Sequence, residues 1–154
     1  MVKARIATSA EQPINSHAAL AGEKFSEGDL VGINSSGKLV KADADSASQV
    51  MAVGVALSPA AQLSDYTEDA VKLVVEANRA LVDRDRITAV KYGIEVENGD
   101  DDWDFTPGLP VYLAAGGGYT QTAPATAGDL IQIVGEALTP ERISLHVIPS
   151  ATTA

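Results

Sequence analysis

The chain has 154 residues, 45% of them apolar and 21% charged, a composition typical of a globular domain that buries its own core. Eleven Lys and Arg against 21 Asp and Glu give a formal charge of -10, which argues against binding to the phosphate backbone of a nucleic acid. The chain has no cysteine, which excludes disulfides, thiolate metal sites and thiol nucleophiles.

Residues 1–20 are predicted to form an extended N-terminal arm, since they are mostly polar and contain few large apolar side chains. The start of the chain lacks the apolar segment of a secretory signal peptide. Apolar runs such as residues 71–75 are far shorter than the roughly 20 residues of a membrane helix, so we expect no insertion into a membrane.

Residues 21–150 are predicted to form a single β domain with an internal repeat. The first copy covers residues 28–59 and the second covers residues 108–140. Each copy contains a strand, a glycine-containing turn, a second strand, a loop, and a third strand that ends in V-G-x-A-L-S/T-P. Because the same order of elements occurs twice, we interpret the domain as a duplication of one β module.

Matched glycines and prolines keep nearly one spacing between the two copies. Gly28 and Gly108 are 80 residues apart. Three later pairs are each 81 residues apart: Gly37 with Gly118, Gly54 with Gly135, and Pro59 with Pro140. One residue inserted into the second copy explains the difference.

Alternating side chains give both copies the character of strands. In the first copy Leu30 and Gly32 are predicted to face one side of the strand, and Val31 and Ile33 the other. Glycine in the turns adopts positive φ at little cost. The chain is therefore predicted to be all-β, a compact barrel or sandwich of two related modules with at most one short helix.

Residues 67–78, between the copies, fit two interpretations. Thr67, Glu68 and Asp69 are suited to cap a helix that runs to Asn78. The dense β-branched residues, and their alternation with charged side chains, favour a strand instead.

Residues 87–97 alternate throughout and are predicted to form one further strand. Asn98 and Gly99 predict a turn before an acidic loop, after which Trp103 and Phe105 bring the chain back to the core. The last residues, 151–154, are small and polar and are predicted to be flexible.

The two histidines and the glycine run carry no recognisable chemistry. His17 and His146 have no acidic ligand at the spacing of a metal site, and alternation makes His146 a solvated strand residue. The glycines at residues 116–118 are predicted to form a turn, since no Lys-Ser/Thr pair follows them as in a phosphate-binding loop.

The acidic loop resembles a cation site only in part. Asp100, Asp102 and Asp104 match the first ligand positions of a calcium loop. Phe105 and Val111, however, occupy the positions that need Gly and Glu, so a solvated loop is the preferred interpretation. No nucleophile motif occurs either, and we expect a protein with no enzyme activity, cofactor or metal.

The motifs of the second copy resemble those of a known class of viral proteins. They are T-P-G-L-P-V-Y-L at residues 106–113, a glycine turn, and V-G-E-A-L at residues 134–138. With these motifs the copy resembles the C-terminal β module of capsid decoration, or cement, proteins of tailed viruses. Residues 25–31, 37–43 and 53–57 resemble the start of the same proteins, and the matched blocks cover about half of the chain.

The resemblance implies a small β-barrel protein of the virion that docks, usually as a homotrimer, on the outer surface of the viral shell. Its partner would be the major capsid protein, and its role would be to stabilise the shell after expansion. Residues 78–86 and 100–104 depart from the pattern of the family and are expected to be virus-specific contacts or insertions. The arm is the predicted docking element, with these candidate capsid contacts: Val2, Lys3, Arg5, Ile6, Gln12, Pro13, Ile14 and Asn15.

A second class of function also fits the sequence, a β-structured fibre or spike module that binds a host glycan or protein. Such a module would carry exposed aromatic side chains that stack on sugars. An enzyme would instead show a pocket with converging carboxylates. The acidity suits either a basic docking surface or a salt-rich habitat, and the sequence does not choose between them.

Overall fold

Two antiparallel β-sheets pack face to face in the computed structural model, which describes residues 4–9, 16–65, 69, 80–99 and 103–154. The strands are β1 (Ala4–Ser9), β2 (Ser16–Leu20), β3 (Leu30–Ile33), β4 (Leu39–Lys41), β5 (Gly54–Ala56), β6 (Arg86–Val90), β7 (Tyr92–Asn98), β8 (Pro110–Leu113), β9 (Tyr119–Thr120), β10 (Leu130–Ile131), β11 (Ile133–Thr139), β12 (Arg142–His146) and β13 (Thr152–Thr153). A short 3-10 helix covers Leu63–Asp65. Among the described residues, no helix is long and apolar enough to cross a membrane.

The larger sheet has six strands in the order β1-β7-β12-β11-β8-β9, and the smaller has five in the order β2-β6-β5-β3-β4. Strands β10 and β13 form a separate pair. The prediction of an all-β fold is confirmed. The architecture is a sandwich of two open sheets and not a closed barrel, because each sheet ends in edge strands.

Both copies of the repeat form the same arrangement of three strands. In the first copy β3 pairs with β4 and β5, and in the second β8 pairs with β9 and β11. The turns before these strands also match: Gly28 N donates to Ala56 O at 2.9 Å, and Gly108 N donates to Ala137 O at 2.8 Å. The repeat in the sequence is therefore a repeat of local structure.

The hairpins correct one detail of the alignment. Asn34 N donates to Lys38 O in the first hairpin, and Ala114 N donates to Gly118 O in the second, so these pairs are both 80 residues apart. Gly37 therefore corresponds to Gly117 and not to Gly118. The inserted residue lies after the hairpin, in the loop that leads to the third strand of the copy.

Each copy has two faces, defined here by matched residues. Face A carries Val31, Leu39 and Ala56 in the first copy, matched by Val111, Tyr119 and Ala137 in the second. Face B carries Leu30, Ala52, Val55 and Leu57 in the first copy, matched by Pro110, Ile133, Glu136 and Leu138 in the second.

The two copies stack front to back. Face B of the first copy packs in the main core between the sheets, together with face A of the second copy. Face A of the first copy packs in a second core on the far side of the five-stranded sheet, beneath Phe25, Ala60 and the chain at Ala21. Face B of the second copy is thus the one of these four faces that neither core covers.

Aromatic residues within and just before the second copy complete the main core. Trp103 is buried, and its ring lies 4.9 Å from that of Phe105 and 5.2 Å from that of Tyr119. The expectation that Trp103 and Phe105 return the chain to the core is confirmed. Offset-stacked and edge-to-face contacts of this kind add to the stability that burial alone provides.

The described parts of the predicted arm are extended, but they belong to the sheets. β1 pairs with β7 at the edge of the six-stranded sheet, and β2 pairs with β6 at the edge of the five-stranded sheet. Ala4 and Ala19 are buried. A strand can join a sheet with small and polar side chains because the pairing uses backbone groups, so polarity was a poor sign of a detached arm.

The single strand predicted over residues 87–97 is two strands in different sheets. β6 ends at Val90 in the five-stranded sheet, and β7 starts at Tyr92 in the six-stranded sheet. Gly93 has φ of 89°, which regular strand geometry does not allow. The alternation continues across the break because Val90 and Ile94 reach the same core from opposite sheets.

The tail at residues 151–154, for which flexibility stays a prediction, is extended and paired. Thr152 and Thr153 form β13, which pairs with β10, and Ala154 N donates to Asp129 O at 2.8 Å. Backbone pairing explains this as well, since it requires no large side chain. The segment 67–78, with its two interpretations, lies outside the described residues except for Asp69.

Candidate functional site

The predicted capsid contacts of the arm are only partly described. Arg5 and Ile6 lie in β1, where they pair with Glu97 and Val96 of β7. Val2, Lys3, Gln12, Pro13, Ile14 and Asn15 lie outside the described residues. The structure thus places two of the candidates at a sheet edge and does not bring the set together into a described surface.

The most distinctive surface of the molecule is instead face B of the second copy with the adjoining part of β12, which we call the outer face. Three large apolar side chains lie exposed on it: Ile133 at 51%, Leu138 at 41% and Ile148 at 57%. Together with Pro110 they line a groove of about 490 Å³. Contiguous exposed apolar surface of this kind marks sites of interaction.

A glycine forms part of this groove for a structural reason. Gly135 lies where β11 approaches β12 closely, and a Cβ atom there would collide with the carbonyl oxygen of Ser144. Its counterpart Gly54 is constrained in the same way, with a Cβ position only 2.8 Å from Val90 O. The glycine of the V-G-x-A-L motif therefore serves strand packing in both copies, and in the second it leaves room for the groove.

Buried hydrogen bonds hold the edge of the outer face in place. Gln132 is buried, and its Nε2 donates to the carbonyl oxygen of Ile148 at 2.9 Å. Val147 N donates to Lys91 O at 2.7 Å. Ile148 is therefore exposed on a backbone that hydrogen bonds hold in place, so a partner that covers it need not order this segment of the chain.

Charged side chains border the groove. Arg142 contacts both Glu95 at 3.3 Å and Glu97 at 3.0 Å, which lie on the neighbouring strand β7. Glu136 is exposed and lines the groove itself. Among the described residues it takes part in no ion pair. Three carboxylates and one guanidinium leave this surface with an excess of negative charge.

His146 lies at the groove as a solvated strand residue, as predicted. Its side chain is exposed on β12, and its ring lies 5.7 Å from that of Tyr92 on β7. His17 is exposed on β2. Within the described part of the chain, no three residues of the types that bind metals lie close enough together to hold an ion.

A second cavity, of about 300 Å³, lies beside the turn that opens the first copy. Its carboxylates serve the fold: Asp65 pairs with Lys24 at 2.9 Å, and Asp29 Oδ2 accepts from Ser26 N at 2.9 Å. Burial raises the pKa of Asp29, and the hydrogen bond from Ser26 opposes this shift. The carboxylates of this cavity are thus engaged with neighbouring groups and not arranged around an open centre.

The glycine turn has a plain structure, and the acidic loop is only partly described. The glycines at residues 116–118 form the turn between β8 and β9, all with positive φ, as predicted. Gly116 N donates to Asp43 Oδ1 at 2.7 Å, so this turn contacts the first copy. Asp104 is exposed, while Asp100 and Asp102 lie outside the described residues, so the solvated acidic loop stays a prediction.

The outer face was missed in the sequence because its residues look like core residues. Leu138 and Leu57 occupy the same position of the same motif, yet Leu57 packs against the main core and Leu138 is exposed. One signal was present in the sequence. Glu136 stands where the first copy has Val55, and a charged residue in an apolar position indicates a face that is not buried in the fold.

Comparison with protein-family models and with curated proteins finds no relative. No model of a protein family matches the chain, and no curated protein matches it either. The function inferred for the chain therefore rests on the geometry of the outer face and on the resemblance of its motifs.

Proposed function

We propose that this chain is a structural protein of a virion, which binds the outer surface of the capsid as a homotrimer and stabilises the expanded shell. It acts by binding, with no reaction. The observation that carries the proposal is the outer face, where Ile133, Leu138 and Ile148 are exposed side by side around one groove. A folded domain leaves such a surface open where another protein covers it.

The motifs that resemble decoration proteins contribute to this surface. Pro110 comes from the block at residues 106–113, and Gly135, Glu136 and Leu138 come from the block at residues 134–138. The resemblance and the geometry thus overlap at these four residues. This supports a docking role for the second copy.

Stabilisation of a shell follows from linkage. A protein that binds the expanded lattice, and not its dissociated subunits, stabilises the lattice by its own binding free energy. At a free concentration one hundred times its Kd, each bound copy contributes about 2.7 kcal/mol. Because a shell holds many copies, modest affinity at each site is sufficient.

The aromatic side chains favour this proposal over a glycan-binding fibre. Phe25, Trp103 and Tyr119 are buried, and Phe105 packs against the main core. Four of the chain's aromatic rings are therefore engaged inside the fold and are not free to stack on a sugar. A screen for glycan binding tests the fibre alternative directly.

Gradient sedimentation with capsids tests the proposal. Purified protein is mixed with expanded shells of the source virus from which surface proteins have been stripped, and the bound copies are counted. We expect saturable binding near three copies per three-fold position, and a free species with three times the 15.9 kDa chain mass. Protein that stays at the top of the gradient at every concentration would refute the proposal.

A further inference from the structure

We propose that the outer face is the surface that docks on the capsid, and that its partner is a basic protein surface that inserts an apolar side chain into the groove and places a Lys or Arg against Glu136. This inference rests on the proposed function. It places the docking site on β8, β11 and β12, whereas the sequence favoured the N-terminal arm.

The comparison between the copies shows that the outer face is adapted for contact. Ala52 of the first copy is fully buried in the main core, whereas its counterpart Ile133 is larger and 51% exposed. Leu57 packs against the main core, and its counterpart Leu138 is 41% exposed. In the first copy, face B packs against the other sheet. In the second copy, face B also carries large apolar side chains, but nothing in the described chain covers them.

Glu136 determines what kind of partner fits. A carboxylate moved from water into an apolar contact is strongly destabilised unless a cation or a set of hydrogen bonds compensates it. Glu136 lines the groove and forms no ion pair with the described residues. A partner that covers the groove must therefore supply the compensating charge.

A second copy of this chain fits the face poorly. In a two-fold dimer through the outer face, the Glu136 side chains of the two protein molecules would enter the same contact as like charges. In a front-to-back arrangement the outer face of one molecule would contact face A of the first copy in another molecule. That face already lies beneath Phe25 and Ala60 of its own chain.

Charge complementarity thus selects a basic partner. The rim holds Glu95 and Glu97 around Arg142, and the groove adds Glu136. A capsid surface with Lys or Arg beside an apolar side chain complements both features, and the resulting contact weakens as salt screens it.

Binding to expanded shells is measured for the wild type, Glu136→Lys, Glu136→Gln and Ile133→Thr. Matched controls are Glu27→Lys, an exposed glutamate just before the first copy, and Ile33→Thr, a strand isoleucine that is 40% exposed. We expect Glu136→Lys and Ile133→Thr to bind at least tenfold more weakly, with both controls unchanged. Glu136→Gln should also reduce the dependence of binding on salt. Thermal unfolding of every variant checks that the fold is retained.

The outcomes separate this inference from the proposed function. If the wild type and all outer-face variants bind shells equally, the docking site lies elsewhere and the inference is wrong, while the proposed function stands. If the variants instead change the mass of the free protein in sedimentation, a second copy covers the face and the inference is again wrong. If the wild type itself does not bind, the proposed function fails and the capsid is excluded as the partner.

Discussion

The side-chain amide of Gln132 pairs with the backbone of Ala52 in both directions. Its Oε1 accepts from Ala52 N at 2.8 Å, and its Nε2 donates to Ala52 O at 2.8 Å. Gln132 of the second copy thus forms with Ala52 of the first copy the pair of hydrogen bonds that the backbone of a neighbouring strand would otherwise provide. The same Nε2 donates to Ile148 O, so a buried amide joins the two copies to the edge of the outer face.

Replacing this amide should be costly. Gln132→Leu leaves the two buried backbone groups of Ala52 without their partner, and each such group costs about 1–3 kcal/mol. It also removes the part-buried bond to the carbonyl of Ile148. We expect a loss of about 3 kcal/mol or more in the free energy of unfolding, measured in urea from the fluorescence of Trp103, the single tryptophan. Gln121 bonds similarly to Thr106, at 2.7 and 3.0 Å, but in a more exposed position. If Gln121→Leu costs as much, burial is not the reason for the effect.

Tyr119 links the second hairpin to the turn of the first copy. Its hydroxyl donates to Gly28 O at 2.7 Å within the core. Tyr119→Phe removes the donor and leaves a buried carbonyl unpaired, so we expect a loss of about 1–3 kcal/mol in the free energy of unfolding. Tyr112→Phe is the control, because that tyrosine is only half-buried. Equal effects of the two substitutions in urea denaturation would contradict the role assigned to the Tyr119 hydroxyl.

Asp29 should make stability depend on pH. Burial raises its pKa above the ordinary value of 3.8, so the folded state binds more protons at this site than the unfolded state does. The contribution of Asp29 to stability therefore falls as pH rises from 3.8 through the raised pKa. Asp29→Asn keeps an oxygen that can accept from Ser26 N but does not titrate.

The stability of Asp29→Asn relative to the wild type should therefore increase as pH rises above about 4, and become constant once pH exceeds the raised pKa of Asp29. Urea denaturation of both proteins at several pH values measures this difference, in which effects common to the two chains cancel. A difference that is constant with pH, or that falls as pH rises, would show that the carboxyl is not destabilised by burial.

Glycine at position 135 should be required for the packing of β11 on β12. In Gly135→Ala the new Cβ would collide with the carbonyl oxygen of Ser144, which is backbone and cannot rotate away. We expect a loss of about 2 kcal/mol or more in the free energy of unfolding. Gly37→Ala has positive φ of 75° but no atom within 4 Å of the new Cβ, so it should cost only about 1 kcal/mol. The reverse order in thermal unfolding would contradict the proposed collision.

Local patterns in the sequence predicted most of the strands. The alternation over residues 30–33 and the glycine turn at residues 116–118 depend on neighbours along the chain, so they can be recognised without the fold. The edge strands β1 and β13 could not be recognised in this way. Their pairing uses backbone groups, and their side chains carry no clear pattern.

The sequence by itself determined that this is an acidic, cysteine-free, all-β protein with two related copies, because composition, period and motif spacing are local properties of the chain. Only the tertiary structure decided that the copies stack front to back, and therefore which of two identical leucines is exposed. Leu57 and Leu138 share one motif, but burial depends on what lies across the sheet. Leu57 faces the main core, whereas Leu138 faces solvent. That difference creates the outer face.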